Sequence, residues 1–405
     1  MMLKSRYVFP VDGPVIEDGA VVIAESRIAA VGRAADLCTT PVIDYGDAVI
    51  CPGFVNAHTH LELTLLVGKI SPSGDFGHWL ERLTGLLMAQ PATPNNVAEA
   101  VRAGIGQSLA AGVTTIGDIT RRPAWSRKPL AASPLRAVSF GEVIAMGRLR
   151  DQLNDRLEAA ASVEHQSHRF RVGISPHAPY TVEPDGLRAC ADRARRMIAP
   201  LCIHLAETAE EDVFTRSRSG RFKEFLQEMG IWDEDIPVAD CSPVELCRAA
   251  GVLGPRTVIA HGNYISDGDI EIIAGSGSSV AYCPRTHHAF GHPPHRFREM
   301  LRAGINVCIG TDSLASNPSL SILDELRFLH QWHPDVAADD LMAIGTSRGA
   351  AALGYGDEVG SLAVGKAADL VVIPVEADAE WESMLESTRP PVAVYIDGVR
   401  KLQSA

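Results

Sequence analysis

Residues 49–60 read VICPGFVNAHTH, an apolar run interrupted by Pro52 and Gly53 that ends in His-x-His. Such a run is predicted to be a buried β-strand, and the strand period of two points His58 and His60 to one face. Two neutral imidazoles side by side suit a borderline-soft divalent cation. Working outward, other short apolar runs also end in ligand-type residues: LCIH at His204, TVIAH at His261 and NVCIGTD at Asp312. Four more predicted strands, ending at Asp118, Glu142, His177 and Cys283, bring the count to eight.

Helical periodicity falls between these runs, at 97–111, 150–164, 184–197, 267–274 and 320–331. Strand and helix in alternation imply parallel strands with helical crossovers. In an eight-stranded α/β barrel the carboxyl ends of all strands share one rim, where active sites collect. A single histidine at a strand end is as readily a hydrogen-bonded interior group. Five ligand-type residues on one rim, His58, His60, His204, His261 and Asp312, point instead to a metal site.

Before residue 50 the chain reads as short strands at 21–24, 28–31 and 42–44. Beyond about residue 355 a similar pattern returns in GSLAVGKAADLVVIPV and, after Pro390 and Pro391, VAVYIDGVRK. Both termini are therefore expected to join in one small β domain. The 405 residues are 46% hydrophobic and 21% charged, which supplies a substantial core. A formal charge of −13 gives no general electrostatic drive toward nucleic acid or an anionic membrane, leaving a small molecule as the expected partner. The start has no signal-like apolar run, and no later stretch stays apolar for the roughly 20 residues a membrane helix needs, so a cytoplasmic location is expected. The eight cysteines form no Cys-x-x-Cys pair, and Cys241 and Cys247 are too widely spaced for a usual zinc knuckle, so reduced interior thiols are expected.

NAHTHLE, HLAET, AHGN, GTDSLASNPSL and the closing GKAADLVVI together resemble the amidohydrolase superfamily, most closely its cytosine, guanine and S-adenosylhomocysteine deaminase branch. The resemblance spans nearly the whole chain. It implies an α/β architecture: a distorted TIM (β/α)8 barrel over 51–355 and a composite β-sandwich from 1–50 plus 356–405. It also implies that His58, His60, His204 and Asp312 bind one divalent ion, zinc first and iron or manganese as alternatives, while His261 contacts the reactive water. Relatives with two metals bridge them through a lysine at the end of strand four. Here that strand ends SPHAPY with His177, and no lysine lies between Lys128 and Lys223, which implies a mononuclear site.

Glu207, in His-x-x-Glu, matches the proton shuttle of that branch, the lesser alternative being a solvated helix start, since Glu210, Glu211 and Asp212 follow. The implied reaction is hydrolytic deamination: water, acidified by a metal, attacks a ring carbon while Glu207, His261 and Asp312 move protons. Trp79, His177, Arg285, Ser316 and Asn317 fall in predicted rim loops and are expected to touch substrate. Residues 283–297, CPRTHHAFGHPPHRF, depart from the branch's compact Asn-Pro-x-Ser-Asn segment. They carry Arg285, His287, His288, His292 and His295 toward the rim as an expected cationic patch suited to a carboxylate-bearing substrate. S-adenosylhomocysteine and 6-amino-6-deoxyfutalosine each carry a carboxylate, and an adenosine-type nucleoside is the further expected substrate. The resemblance also implies a homodimer. Two alternatives stay open: another hydrolase on the same site, such as a triazine chlorohydrolase or cyclic-amide hydrolase, and a non-catalytic barrel scaffold.

Overall fold

The computed structural model describes residues 1–72 and 75–403; the last two positions of the expected terminal segment lie outside the described residues. The chain first lays down β1 (Met2–Val8), β2 (Ile16–Ala24), β3 (Arg27–Arg33), β4 (Val42–Asp44) and β5 (Ala48–Pro52). It returns at the end with β14 (Leu370–Pro374), β15 (Ala393–Ile396) and β16 (Val399–Gln403). Together these make one mixed sheet in the order β16-β15-β14-β5-β1-β2-β3. β1 is the branch point, pairing β4 through Met2–Lys4 and β5 through Tyr7 and Val8. β1 and β5 are elements that composition hid: β1 carries Lys4, Ser5 and Arg6, and β5 reads as the start of the following strand.

The chain crosses into the barrel at Gly53 rather than at residue 50. A β-carbon there would lie 2.2 Å from the Thr114 hydroxyl oxygen, so only glycine permits the crossing. Eight parallel strands follow: β6 (Phe54–Thr59), β7 (Val113–Thr120), β8 (Arg136–Val143), β9 (Phe170–Pro176), β10 (Leu201–Leu205), β11 (Thr257–His261), β12 (Ser279–Tyr282) and β13 (Asn306–Ile309). They pair in sequence order from β6 to β13. Closure comes just beyond β13, where the amides of Thr311 and Asp312 both donate to the His58 carbonyl at 3.1 Å. The Thr59 hydroxyl adds a bond to the Asp312 carbonyl at 3.0 Å.

Inside the barrel Val55, Ala57, Val138, Cys202, Ala260 and Cys308 share a cluster of mostly small apolar side chains. Outside it the helices pack: α1 (Phe76–Ala89), α2 (Pro94–Ala110), α3 (Pro123–Ala131), α4 (Leu153–Ala160), α5 (Pro184–Met197), α6 (Ala209–Ser217) and α7 (Arg221–Glu228), then further helices to residue 352. The helix expected over 150–164 is a 3-10 turn at Gly147–Gln152 followed by α4. At the end of the barrel opposite the rim, buried Arg136 pairs with Asp369 at 3.0 Å, with Asp397 and with Glu358, tying β8 to the terminal sheet. Among the described residues no helix is long and apolar enough to cross a membrane, and all eight cysteines are free thiols.

Candidate active site

Strand alternation delivers some site residues and must be broken to deliver others. From Cys202 in the barrel interior, two residues along β10 reach His204, and from Cys308 two further steps of two reach Asp312. On β6, however, Val55 and Ala57 already point inward, so an unbroken period would turn His58 and His60 away. A register shift between Asn56 and Thr59 resets the phase, and the two imidazoles meet with ring centroids 5.0 Å apart. On β11 the interior residue is Ala260, and the adjacent His261 is redirected by a left-handed backbone, φ 72°. Asp312 is also left-handed, φ 58°. Such conformations cost about 1–3 kcal/mol each and persist where surrounding contacts fix them. Here the barrel-closing bonds fix Asp312.

The side chains converge. His60 Nε2 lies 3.2 Å from His204 Nε2 and 3.4 Å from Asp312 Oδ1, and His58 Nε2 is 3.7 Å from the same oxygen. His58 is fully buried and its Nε2 has no hydrogen-bond partner, an arrangement that costs free energy unless something binds the nitrogen. His204 Nδ1 sits 3.0 Å from the His177 carbonyl, which leaves Nε2 facing the cluster. Burial and mutual repulsion hold His58 and His60 far below the ordinary histidine pKa, and burial takes His204 down to about 4, so all three are neutral imidazoles. Asp312 is raised to about 6 by burial, while the Ser316 hydroxyl donates to its Oδ2 at 2.5 Å. Candidate ligand atoms lie within 4.8 Å of one another in the sets His58, His60, His204 and His58, His261, Asp312. Three imidazoles and one carboxylate around an unpartnered nitrogen fit a single divalent cation.

Glu207 stands over this cluster, its Oε1 3.4 Å from His261 Nε2. It is buried, and burial with the nearby Asp312 and Glu211 carboxyls pushes its pKa well above the usual range. The solvated helix start is thus excluded for Glu207. Its backbone is clamped: Glu211 accepts the amides of Ala206 and Glu207 at 2.9 and 3.0 Å, and Asn263 donates to the Glu207 carbonyl at 3.0 Å. Sequence reasoning missed the roles of Glu211 and Asn263, although Asn263 lies within the quoted AHGN.

A cavity of about 220 Å³ opens in front of these groups. His60, His204, Glu207, His261 and Asp312 line its floor, and its far walls are largely apolar, with Leu83, Met146, Phe225 and Ile231. Of the residues expected to touch substrate, Trp79 and His177 line the cavity wall, although the Trp79 indole N–H is engaged by the Ala315 carbonyl at 3.1 Å. The other expected substrate contacts do not. Arg285 turns into the protein to Ser319 at 2.9 Å and to Asp324 and Glu325. Ser316 supports Asp312 from behind, and Asn317 bonds Thr311 and Glu325 at 2.8 and 2.6 Å.

The histidine-rich loop is likewise packing rather than a cationic patch. His287 bonds Asn263 and the Pro293 carbonyl, His292 meets Tyr264, His295 bonds the His261 carbonyl, and His288 leans on Phe328 and Trp332. Burial lowers His287 and His292 to about 4 and His295 to about 3, so none of these three carries charge near neutral pH. The basic residues that do reach the cavity are Arg121 and Arg156, which no sequence motif marked.

The amidohydrolase family model matches residues 49–400. The chain is 30% identical over 393 residues to the 5-methylthioadenosine/S-adenosylhomocysteine deaminase of Moorella thermoacetica, covering 92% of this chain and 85% of that protein. Its fold is similar to Helicobacter pylori aminofutalosine deaminase in complex with methylthio-coformycin, with TM-score 0.87, 23% identity, and coverage of 99% of this chain and 100% of that one. It is also similar to the zinc-complexed atrazine chlorohydrolase of Arthrobacter aurescens, with TM-score 0.84, 20% identity, and coverage of 99% and 95%.

Proposed function

We propose, from the premise that this chain belongs to the amidohydrolase family, that it is a metal-dependent hydrolytic deaminase. It replaces the ring amine of an adenine nucleoside or related N-heterocycle by a carbonyl and releases ammonia. The observation that carries this reading is the buried Glu207 carboxyl, 3.4 Å from His261 on the same cavity floor as the histidine and aspartate cluster. The named Moorella relative, with its two adenine-nucleoside substrates, supports the same class.

His58, His60, His204 and Asp312 would hold the ion, zinc in the first instance, which acts as a Lewis acid that makes water a nucleophile at neutral pH. Within the chain, His261 and Asp312 would orient water at the cavity floor and take up its proton, with Glu207 3.4 Å from His261 Nε2. Glu207, whose raised pKa keeps it protonated, donates to the ring nitrogen beside the carbon under attack. The carbon becomes tetrahedral, the emptied Glu207 carboxylate takes the proton of the added hydroxyl and passes it to the amine, and ammonia departs as the carbonyl forms, the ring nitrogen keeping its proton and the proton left on His261 or Asp312 restoring Glu207. Trp79 and His177 would flank the ring. The test is product identity: stoichiometric ammonia from 5-methylthioadenosine, S-adenosylhomocysteine or another adenine nucleoside supports the assignment. Chloride from a chlorotriazine, with no ammonia from any nucleoside, overturns it.

A further inference from the structure

The histidine-rich loop takes no part in the reaction above, yet one of its rings touches the backbone of His261. His295 Nε2 lies 2.9 Å from the His261 carbonyl oxygen. A carbonyl only accepts, so the neutral ring carries its hydrogen on Nε2 and leaves Nδ1 bare. That Nδ1 is buried with no hydrogen-bond partner among the described residues. An apolar ring would leave no such orphan, so the bond to His261 is what a histidine adds at this position.

The ring is anchored to the barrel. It stacks on Tyr282, the last residue of β12, with centroids 3.8 Å and planes 15° apart, and Phe297 lies nearly parallel to the same tyrosine. The Tyr282 carbonyl in turn accepts the Gly310 amide at 2.9 Å. His295 thus carries the rigidity of β12 to the end of β11.

The bond falls on a peptide plane that is held at both ends. The His261 carbonyl and the Gly262 amide share that plane. His295 engages the carbonyl, and the Leu205 carbonyl of β10 accepts the amide at 3.0 Å. Both residues are left-handed, φ 72° at His261 and 63° at Gly262. Glycine adopts this region freely, whereas a histidine stays there only where contacts fix it. The same turn is tied to the Glu207 segment, since the Tyr264 amide donates to the Ala206 carbonyl at 2.8 Å and Asn263 to the Glu207 carbonyl at 3.0 Å. Rotating the 261–262 plane would turn His261 Nε2 away from Glu207, which it faces at 3.4 Å.

We propose that His295 is a positioning residue: acting through the His261 carbonyl, it locks the left-handed turn that aims His261 at Glu207. The consequence for turnover rests on the deaminase reading; the lock itself does not.

Two substitutions separate donor from packing. H295F keeps a ring on Tyr282 and removes the N–H, whereas H295Q returns an N–H on a side chain of similar reach; H295L replaces H295F should the latter not fold. Amide hydrogen exchange of the zinc-loaded proteins, resolved at Gly262 and Tyr264, is measured beside ammonia kinetics and bound zinc on the same samples. In H295F the Gly262 amide is expected to exchange at least about tenfold faster than in wild type, with Val258, Ile259 and Ala260 unchanged and H295Q close to wild type. On a nucleoside that the wild type deaminates, kcat is expected to fall about 10–100-fold in H295F with KM and zinc content unchanged, and to recover largely in H295Q. Wild-type exchange at Gly262 in H295F, equal acceleration in H295F and H295Q, or acceleration spread through β11 overturns the lock. Faster exchange with an unchanged kcat, or turnover lost together with zinc, overturns the positioning role. The expected exchange pattern with no ammonia from any of the proteins sinks the reaction and leaves the lock standing.

Discussion

The proposed tasks of the side chains at the cavity floor follow from their neighbours. Glu207 belongs to neither candidate ligand set, so Glu207→Ala should keep metal but lose about 10²–10⁴-fold in turnover, the usual worth of a positioned proton donor. His60→Ala removes a nitrogen that faces both His204 and Asp312, and metal analysis of the purified variant should show less than stoichiometric ion. Ser316→Ala leaves the donor set intact but frees Asp312 Oδ2. A metal affinity reduced about 10–100-fold is expected, as for other residues that orient a ligand. A variant indistinguishable from wild type in metal titration would show that the bond is incidental. The clustering of these residues was legible because imidazoles and a carboxylate ending successive apolar runs share one barrel rim. Arg285 and Asn317 were misread because a polar residue in a rim loop can turn to the cavity or to a neighbouring helix, and only the Ser319, Asp324 and Glu325 partners show which.

At the scale of elements, α6 holds Glu207 through Glu211, whose carboxyl sits beneath the amides of Ala206 and Glu207. Burial lifts Glu211 from an ordinary 4.5 to about 8. A carboxyl that holds its proton more firmly folded than unfolded contributes stability that is present below about pH 4.5 and lost as pH rises through about 8. Relative to Glu211→Gln, the wild type should therefore lose melting temperature across that window; parallel melting profiles for the two proteins would exclude the titration. The eight barrel strands were legible because parallel buried strands read as short continuous apolar runs. The devices that aim the site were not. The register shift in β6 and the left-handed backbone at His261 and Asp312 arise from pairing with neighbouring strands and from barrel closure, and the left-handed residues are themselves a histidine and an aspartate rather than glycines.

The whole molecule joins a barrel rim that does chemistry to a barrel base that is fastened to the terminal sheet. Arg136 is the fastener, and truncating it leaves Asp369 buried without its cation. Arg136→Ala should cost about 3–5 kcal/mol of stability, seen as a lower urea midpoint, with metal content unchanged in the protein that remains folded. The union of the two termini was legible as a recurring short-strand pattern, but not the membership of β1 and β5, which depends on partners far away in sequence. The central claim is that one buried carboxyl beside a single metal cluster performs a hydrolytic deamination. The measurement that bears on it most directly is ammonia release from adenine nucleosides by wild type and Glu207→Ala, with bound metal determined on the same samples. Ammonia from the wild type, nearly abolished in a variant that still holds one ion per chain, is the expected result. Equal rates from both proteins, or no ammonia from metal-replete wild type, would contradict the account.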